Sequence, residues 1–330
     1  MNPPPLTRLA GWPRHPLANL PTPLLPLSHL PGEAGWDGAG LFVKMDAETG
    51  FALGGNKVRK LEFELAPQRL EGITHLLTAG GPQSNHCRVT AAAAAHLGLP
   101  CTLVVNGPEP EPPRGNALLH RLFGARIHTV KKREDRAPAL ERLAGEMAEA
   151  GERPMVVPIG ASTPLGSLGY ARAMVELASQ LEELPPAERT WIFSSASSCG
   201  TTAGLLLGIS LLERRDIRLV GVSADAPAFE IRTRTVELAR EAGRLLGFGG
   251  EILEGALAAA EEYVGEGYGI PTPASREALE LFARTEGVVL DPVYTAKAAA
   301  GMLDWLGRGS VPRRHRVVFL HTGGHPALFA

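Results

Sequence analysis

The sequence predicts an α/β fold built on parallel sheet, and three observations carry that expectation. Short apolar runs alternate with longer amphipathic stretches along most of the chain, the pattern of repeated βαβ units. The runs are apolar almost throughout, as strands are when both faces of their sheet are covered. Glycines and small polar residues gather where such a run hands over to a helix.

Taken in order, the chain opens with an arm from Met1 to Pro31 in which a proline recurs every few residues. Strands are expected at Leu41–Met45, Leu76–Thr78, Thr102–Val105, Ile127–Val130, Met155–Val157, Trp191–Ser194, Leu219–Ser223 and Val317–His321. Helices are expected at Lys57–Leu70, Asn85–Leu97, Glu134–Ala150, Leu168–Leu184, Ala203–Leu212 and Thr295–Leu306. Glycine and proline cluster at Gly54–Asn56 and over Gly160–Gly169, which marks two hinges. The roughly hundred residues between them match a small domain in size. Residues 57–167 are therefore expected as a small domain inserted into a larger one made of residues 1–56 and 168–330.

The 330 residues carry a net charge of −2 and no basic block, which argues against nucleic acid or anionic membrane as a partner. Three cysteines, Cys87, Cys101 and Cys199, form no CxxC pair, so a reducing, cytoplasmic setting is expected. The prolines of the N-terminal arm rule out a signal helix. The most apolar run, Ala91 to Leu99, is too short to span a bilayer and contains His96.

Three corners carry the chemistry. After the Trp191–Ser194 strand comes SASSCGTT, residues 195–202, which opens a helix. Free amides at a helix N-terminus, joined by the hydroxyls of Ser198, Thr201 and Thr202, suit an anion. Ordinary helix capping explains part of that pattern. The second corner, AGGPQSNH, places Gln83, Ser84, Asn85 and His86 at another helix start, suited to a carboxylate. In the third, Lys57 follows Gly54, Gly55 and Asn56 at the head of a helix whose dipole lowers its pKa. A solvated lysine beside Arg59 and Lys60 is the plain alternative, and the glycines, which admit a ligand to the backbone, weigh against it. Fingerprints for dinucleotides, nucleoside triphosphates, zinc peptidases and α/β-hydrolases are missing. His321 and His325 are separated by Gly323 and Gly324, so a helical metal pair is not expected. A phosphate cradle, a carboxylate cradle and a primed lysine point to a carbonyl cofactor and an amino-acid substrate.

GGNKVRKLEF (54–63), QSNHCR (83–88), CGTTAG (199–204), GYGIP (267–271), LDPVYTAK (290–297) and HTGG (321–324) resemble the D-cysteine desulfhydrase and 1-aminocyclopropane-1-carboxylate deaminase family. This family is of the tryptophan-synthase-β type, and the resemblance runs from Leu20 to the C-terminus. It implies two open, twisted, mostly parallel sheets flanked by helices (PLP fold type II), a cytoplasmic homodimer, and pyridoxal phosphate as cofactor. It further implies that Lys57 holds the cofactor and shuttles the Cα proton, with Asn56 and Asn85 near its phenolic oxygen. Ser198, Cys199, Gly200, Thr201 and Thr202 would hold the phosphate. Gln83, Ser84, Asn85 and His86 would face the substrate, with Ser84 also placed for proton transfer. Tyr268 and Tyr294 would act as acid–base or positioning groups.

In the cyclopropane deaminases an acid follows the DPVY tyrosine and leucine precedes the paired glycines. Here Thr295 and Thr322 stand there. A hydroxyl at the ring nitrogen, from Thr322 or else Thr295, leaves the pyridine neutral and favours β-elimination. A lyase that releases sulfide and ammonia from D-cysteine is the leading expectation. The alternatives are a cyclopropane deaminase, a lyase for a sulfonated cysteine analogue, and a cofactor-binding protein without catalysis. Met45–Glu48, Thr163 and His325 depart from the family pattern, and the last two are expected to face the pocket.

Overall fold

The structure, a computed structural model, describes residues 3–108 and 110–330. Ten strands run in chain order: β1 (Leu24–Pro26), β2 (Leu41–Lys44), β3 (His75–Gly80), β4 (Cys101–Asn106), β5 (Arg126–Val130), β6 (Pro154–Val156), β7 (Thr190–Ala196), β8 (Ile217–Ser223), β9 (Leu257–Ala260) and β10 (Arg316–Leu320). They form two sheets, ordered β1-β2-β10-β7-β8-β9 and β5-β4-β3-β6. Every pairing is parallel except β1 with β2. The fold class is the one the sequence predicts. The central strand β3 is buried at all six positions, as a strand with both faces covered must be.

All eight expected strands form, and β1 and β9 are additions. The expected Lys57–Leu70 helix is cut into Asn56–Glu64 and Pro67–Leu70. Pro67 bars the preceding residue from helical geometry and supplies no amide. Helices at Gly115–Leu122, Ala228–Leu245 and Pro273–Glu286 add to the expected set. The four strands of the smaller sheet lie between residues 75 and 156, and the larger sheet draws on both ends of the chain. The expected domain cuts need adjustment, because 56/57 and 167/168 fall inside the Asn56–Glu64 and Pro164–Glu182 helices.

Those two helices touch backbone to backbone. A methyl group added to Gly169 would lie 2.2 Å from the carbonyl oxygen of Arg59. The Gly200–Leu211 helix, buried at every residue, approaches from the other side. A methyl on Gly204 would sit 2.2 Å from the Ser167 carbonyl, and one on Gly208 would sit 2.4 Å from Met174 Cβ. A helix apolar all round belongs in a core, and glycine is what lets its axis come this close.

A buried charge network fixes the Asn56–Glu64 helix. Arg59 is 1 % exposed and Asp46 is fully buried. The Arg59 guanidinium donates to Asp46 twice, at 2.9 Å each, and to Glu176 at 2.8 and 3.0 Å. Asp46 also accepts from Tyr170 (2.6 Å) and Thr22 (2.7 Å), and Lys44 donates to Glu176 and to the Thr22 carbonyl. Burial pushes the Asp46 carboxyl up, but Arg59, Lys44 and Tyr170 together outweigh it and the net shift is downward.

Removing one partner of such a pair strands a buried charge. We expect Arg59→Met to cost about 3–5 kcal/mol in urea unfolding, and a loss below about 1 kcal/mol would show the network to be dispensable. The depressed Asp46 pKa means this stabilisation is complete above its unfolded pKa near 4 and is lost as pH falls through the lower folded value. The difference between wild type and Arg59→Met should therefore shrink in acid.

Candidate active site

The carboxyl ends of β7 and β3 face a cavity with an inner and an outer chamber. Lys57, Asn85, Ser197, Ser198 and Tyr294 line both. The inner chamber adds Asn56, Ser195, Cys199, Thr201, Thr202 and Thr322. The outer adds Ser84, His86, Arg133, Arg136, Asp225 and Tyr268.

Lys57 and Lys60 lie three residues apart and share a helix face. Burial holds the Lys57 amine down at about 8. Burial, rather than the helix dipole invoked from the sequence, is the main cause. Lys60 lies well below the ordinary lysine value, through burial and then the charge of Lys57.

The turn into the Gly200–Leu211 helix is shaped by Cys199, whose φ of +63° is left-handed. Its thiol is spent on the Ser197 carbonyl, so Cys199 contributes backbone shape only. The first-turn amides of a helix have no internal acceptor, and those of Thr201 and Thr202 find no backbone acceptor among the described residues. Hydroxyl protons are left over as well. Lys60 Nζ donates to Ser162 Oγ (2.9 Å), which donates to Ser198 Oγ (2.8 Å). Thr201 Oγ1 accepts from Asn56 Nδ2 (3.0 Å). The hydrogens of Ser198 and Thr201 thus stay free to donate, backed by the Lys60 amine. Thr202 lines the chamber, but its hydroxyl is engaged with Cys199 O and Thr235. A methyl on Gly200 would lie 2.7 Å from Ser162 Oγ, so a side chain here would crowd the loop. A phosphate dianion beside a reactive amine fits this donor set, and pyridoxal phosphate carries both a phosphate and an aldehyde.

At the second corner, Ser84 caps the Asn85–His96 helix by accepting from Cys87 N (3.2 Å), so its proton remains available. Asn85 Oδ1 accepts from Asn116 (2.9 Å) and Arg88 (3.3 Å), leaving its amide hydrogens for the cavity. Gln83 and His86 do not fit the carboxylate role. The Gln83 side chain accepts from Asn116 N (2.7 Å) and donates to Arg114 O (3.1 Å), and it lines neither chamber. His86 Nε2 lies 2.8 Å from Thr78 Oγ1, whose own proton goes to Val157 O. The His86 hydrogen is therefore on Nε2, and its buried Nδ1 is an acceptor without a partner among the described residues. Burial keeps this ring neutral.

Tyr268 and Tyr294 share a short hydroxyl–hydroxyl contact, their rings 5.8 Å apart. Lys297 donates to the carbonyls of Val264 (2.7 Å) and Gly267 (2.9 Å), bracing the loop that carries Tyr268. Thr322 faces the inner chamber with its Oγ1 3.2 Å from Ser195 Oγ. Thr295 does not, since its hydroxyl donates to Asp291 at 2.7 Å in a buried turn. Thr163 caps the Pro164–Glu182 helix and bonds Glu64, and His325 lines a separate surface hollow. Neither reaches the cavity. Sequence reasoning missed Lys60, Ser162, Ser195, Arg133, Arg136 and Asp225. Lys60 carried a signal in its spacing from Lys57, and Ser195 in its place at the head of the SASSCGTT loop.

The family described as pyridoxal-phosphate dependent enzyme matches residues 16–323. The D-cysteine desulfhydrase of Salmonella paratyphi A is 39% identical over 338 aligned positions, covering 99% of this chain and 98% of that protein. A solved structure of an ACC deaminase homologue superposes with a TM-score of 0.88 at 34% identity, covering 100% of this chain and 97% of that one. The processed form of threonine deaminase isoform 2 from Solanum lycopersicum has a TM-score of 0.68 at 15% identity, covering 97% of this chain and 88% of that one, and shows the fold alone.

An amine with a pKa of about 8 is roughly one-tenth unprotonated at pH 7, against about one part in three thousand for an ordinary lysine. Reductive fixation of pyridoxal phosphate on the apoprotein should therefore label Lys57. Its rate should rise with a midpoint near pH 8, as followed by peptide mass. A midpoint near the ordinary lysine value of 10.5, or a label elsewhere, contradicts the assignment.

Proposed function

The chain belongs to the pyridoxal-phosphate dependent enzyme family, and on that premise we propose that it is a lyase converting D-cysteine and water to pyruvate, sulfide and ammonia. The observation that carries the reading is the wall of the inner chamber. Ser195 and Thr322 line it with hydroxyls, and no aspartate or glutamate does among the described residues. Pyridoxal phosphate, when bound, supplies an electron sink for bonds at the substrate's α-carbon. An acid at the ring nitrogen would deepen that sink, and hydroxyls leave it shallow. A shallow sink serves a substrate with a good β leaving group.

The residues divide the work. Ser198, Thr201 and the amides of Thr201 and Thr202 hold the phosphate, with Lys60 behind them. Ser84, Asn85 and the helix start around them hold the substrate carboxylate. The Lys57 amine, its pKa low enough for a base near neutrality, takes the Cα proton. The Cβ–S bond then breaks, its electron pair leaves with sulfur, and water completes the hydrolysis to pyruvate and ammonia. The Tyr268–Tyr294 pair, whose pKa values burial raises, stays protonated and supplies a proton at the leaving side. The similarity to Salmonella D-cysteine desulfhydrase supports the reading. A cytoplasmic homodimer goes with it, as the family resemblance implies. No helix among the described residues is long and apolar enough to cross a membrane.

The test gives the purified enzyme D-cysteine and 1-aminocyclopropane-1-carboxylate separately. Pyruvate and sulfide should form from the first faster than 2-oxobutanoate from the second. The reverse order would show that the hydroxyl wall does not decide the reaction. Lys57→Ala should lower D-cysteine turnover by at least about 10²–10⁴-fold with an unchanged circular dichroism spectrum.

A further inference from the structure

The outer chamber holds more positive charge than the reaction above uses. Three arginines line it together with Lys57, and Asp225 is the one acid among its lining residues. Two of the three are engaged. Arg133 lies 3.4 Å from Asp225 and stacks over the Tyr268 ring at 5.4 Å, and Arg234 pairs with Glu230 at 3.0 Å. Arg136 differs. It is 9 % exposed, its Nε donates to the Arg133 carbonyl (3.0 Å), and no carboxylate lies within ion-pair reach of it among the described residues. Burial and then Arg133 press its pKa down, as expected of a cation without a counter-ion. A nearly buried, unpaired guanidinium is costly unless a ligand completes it.

An amino acid in this cavity has three groups to place. Its amino group belongs at Lys57 and its α-carboxylate at the Ser84–Asn85 helix start, which leaves the side chain for the remaining wall. We propose that Arg136, flanked by Arg133, is a second anion subsite that selects amino acids whose β-substituent is an anion or departs as one. This rests on the cavity being an amino-acid site. The planar fork of Arg136 matches a two-oxygen acid such as a β-carboxylate, sulfonate or sulfate ester. For a β-thiol, the same charge stabilises the thiolate. In elimination from serine O-sulfate, for example, the Cβ–O bond breaks and its electron pair departs with sulfate beside Arg136. Water again yields pyruvate and ammonia.

Binding can be read without turnover. The holoenzyme is titrated calorimetrically with both enantiomers of alanine and of aspartate, which differ by one β-carboxylate and carry no β leaving group. Aspartate should bind about tenfold more tightly than alanine in its preferred enantiomer, the scale of one charge-assisted bidentate contact. Arg136→Met should abolish that advantage, and Arg136→Lys, which keeps the charge without the fork, should retain part of it. Circular dichroism checks that each variant is folded. If Arg136→Met does not fold, Arg136→Lys and Arg133→Met carry the test. No advantage in the parent enzyme, or one unchanged in the variants, overturns the proposal. An equal loss for both ligands also overturns it, because Arg136 would then hold the α-carboxylate. Failure of the lyase reading shows separately, as no keto acid from D-cysteine or serine O-sulfate while the aspartate preference persists.

Discussion

Arg59 stands two residues from Lys57 on the same helix, and its guanidinium is clamped by Asp46 from one side and Glu176 from the other. Successive helical residues turn by about 100°, so Arg59 points about 200° away from Lys57, and Lys60 lies about 60° from it. Locking Arg59 in the core therefore sets the rotation of the helix. Lys57 then faces the cavity, and Lys60, buried beside it, reaches the Ser198 loop from behind through Ser162. The buried ion network is costly to assemble, and its use is positional.

The cavity's polarity follows from the same economy of partners. Acceptors are consumed inside the protein: Asn85 Oδ1 by Asn116, Thr201 Oγ1 by Asn56, and Ser198 Oγ by Ser162. What remains facing inward is mostly hydrogen. Such a lining suits a ligand with several negative oxygens and disfavours neutral apolar molecules. His86 Nδ1 and Asp225 Oδ1 are the exceptions, two buried acceptors without a partner among the described residues.

Much of this was legible in the chain, and the failures have physical causes. The strands of both sheets were readable because burial on two faces demands unbroken apolar runs. β9 was missed because its LAAA sequence has no β-branched residue and looks helical. β1 was missed because Pro26 argues against a strand everywhere except at an edge, where β1 lies. That Lys57 and the loop of residues 195–202 would meet at one cavity was legible from local glycine and hydroxyl patterns. The burial of Arg59 and Lys60 was not, because their partners lie elsewhere in sequence: Asp46 and Glu176 for Arg59, Ser162 for Lys60. Gln83 and His86 fell in the right motif but turned to Asn116 and Thr78. Residue type names a capability, and only the fold decides which neighbour claims it.

The glycine contacts at positions 169, 204 and 208 bear on how such a protein changes over time. They set the spacing between the lysine helix and the Gly200–Leu211 helix, at Gly169 and Gly204 by main chain against main chain and at Gly208 against Met174 Cβ, which leaves little softness for side-chain replacements to exploit. Arg133 and Arg136 come instead from the segment after β5 on the smaller sheet. The lysine helix with its facing loop and the arginine pair thus sit on separate parts of the molecule. Replacements at positions 133 and 136 can therefore alter the wall of the outer chamber without disturbing the glycine contacts that fix the helices around Lys57.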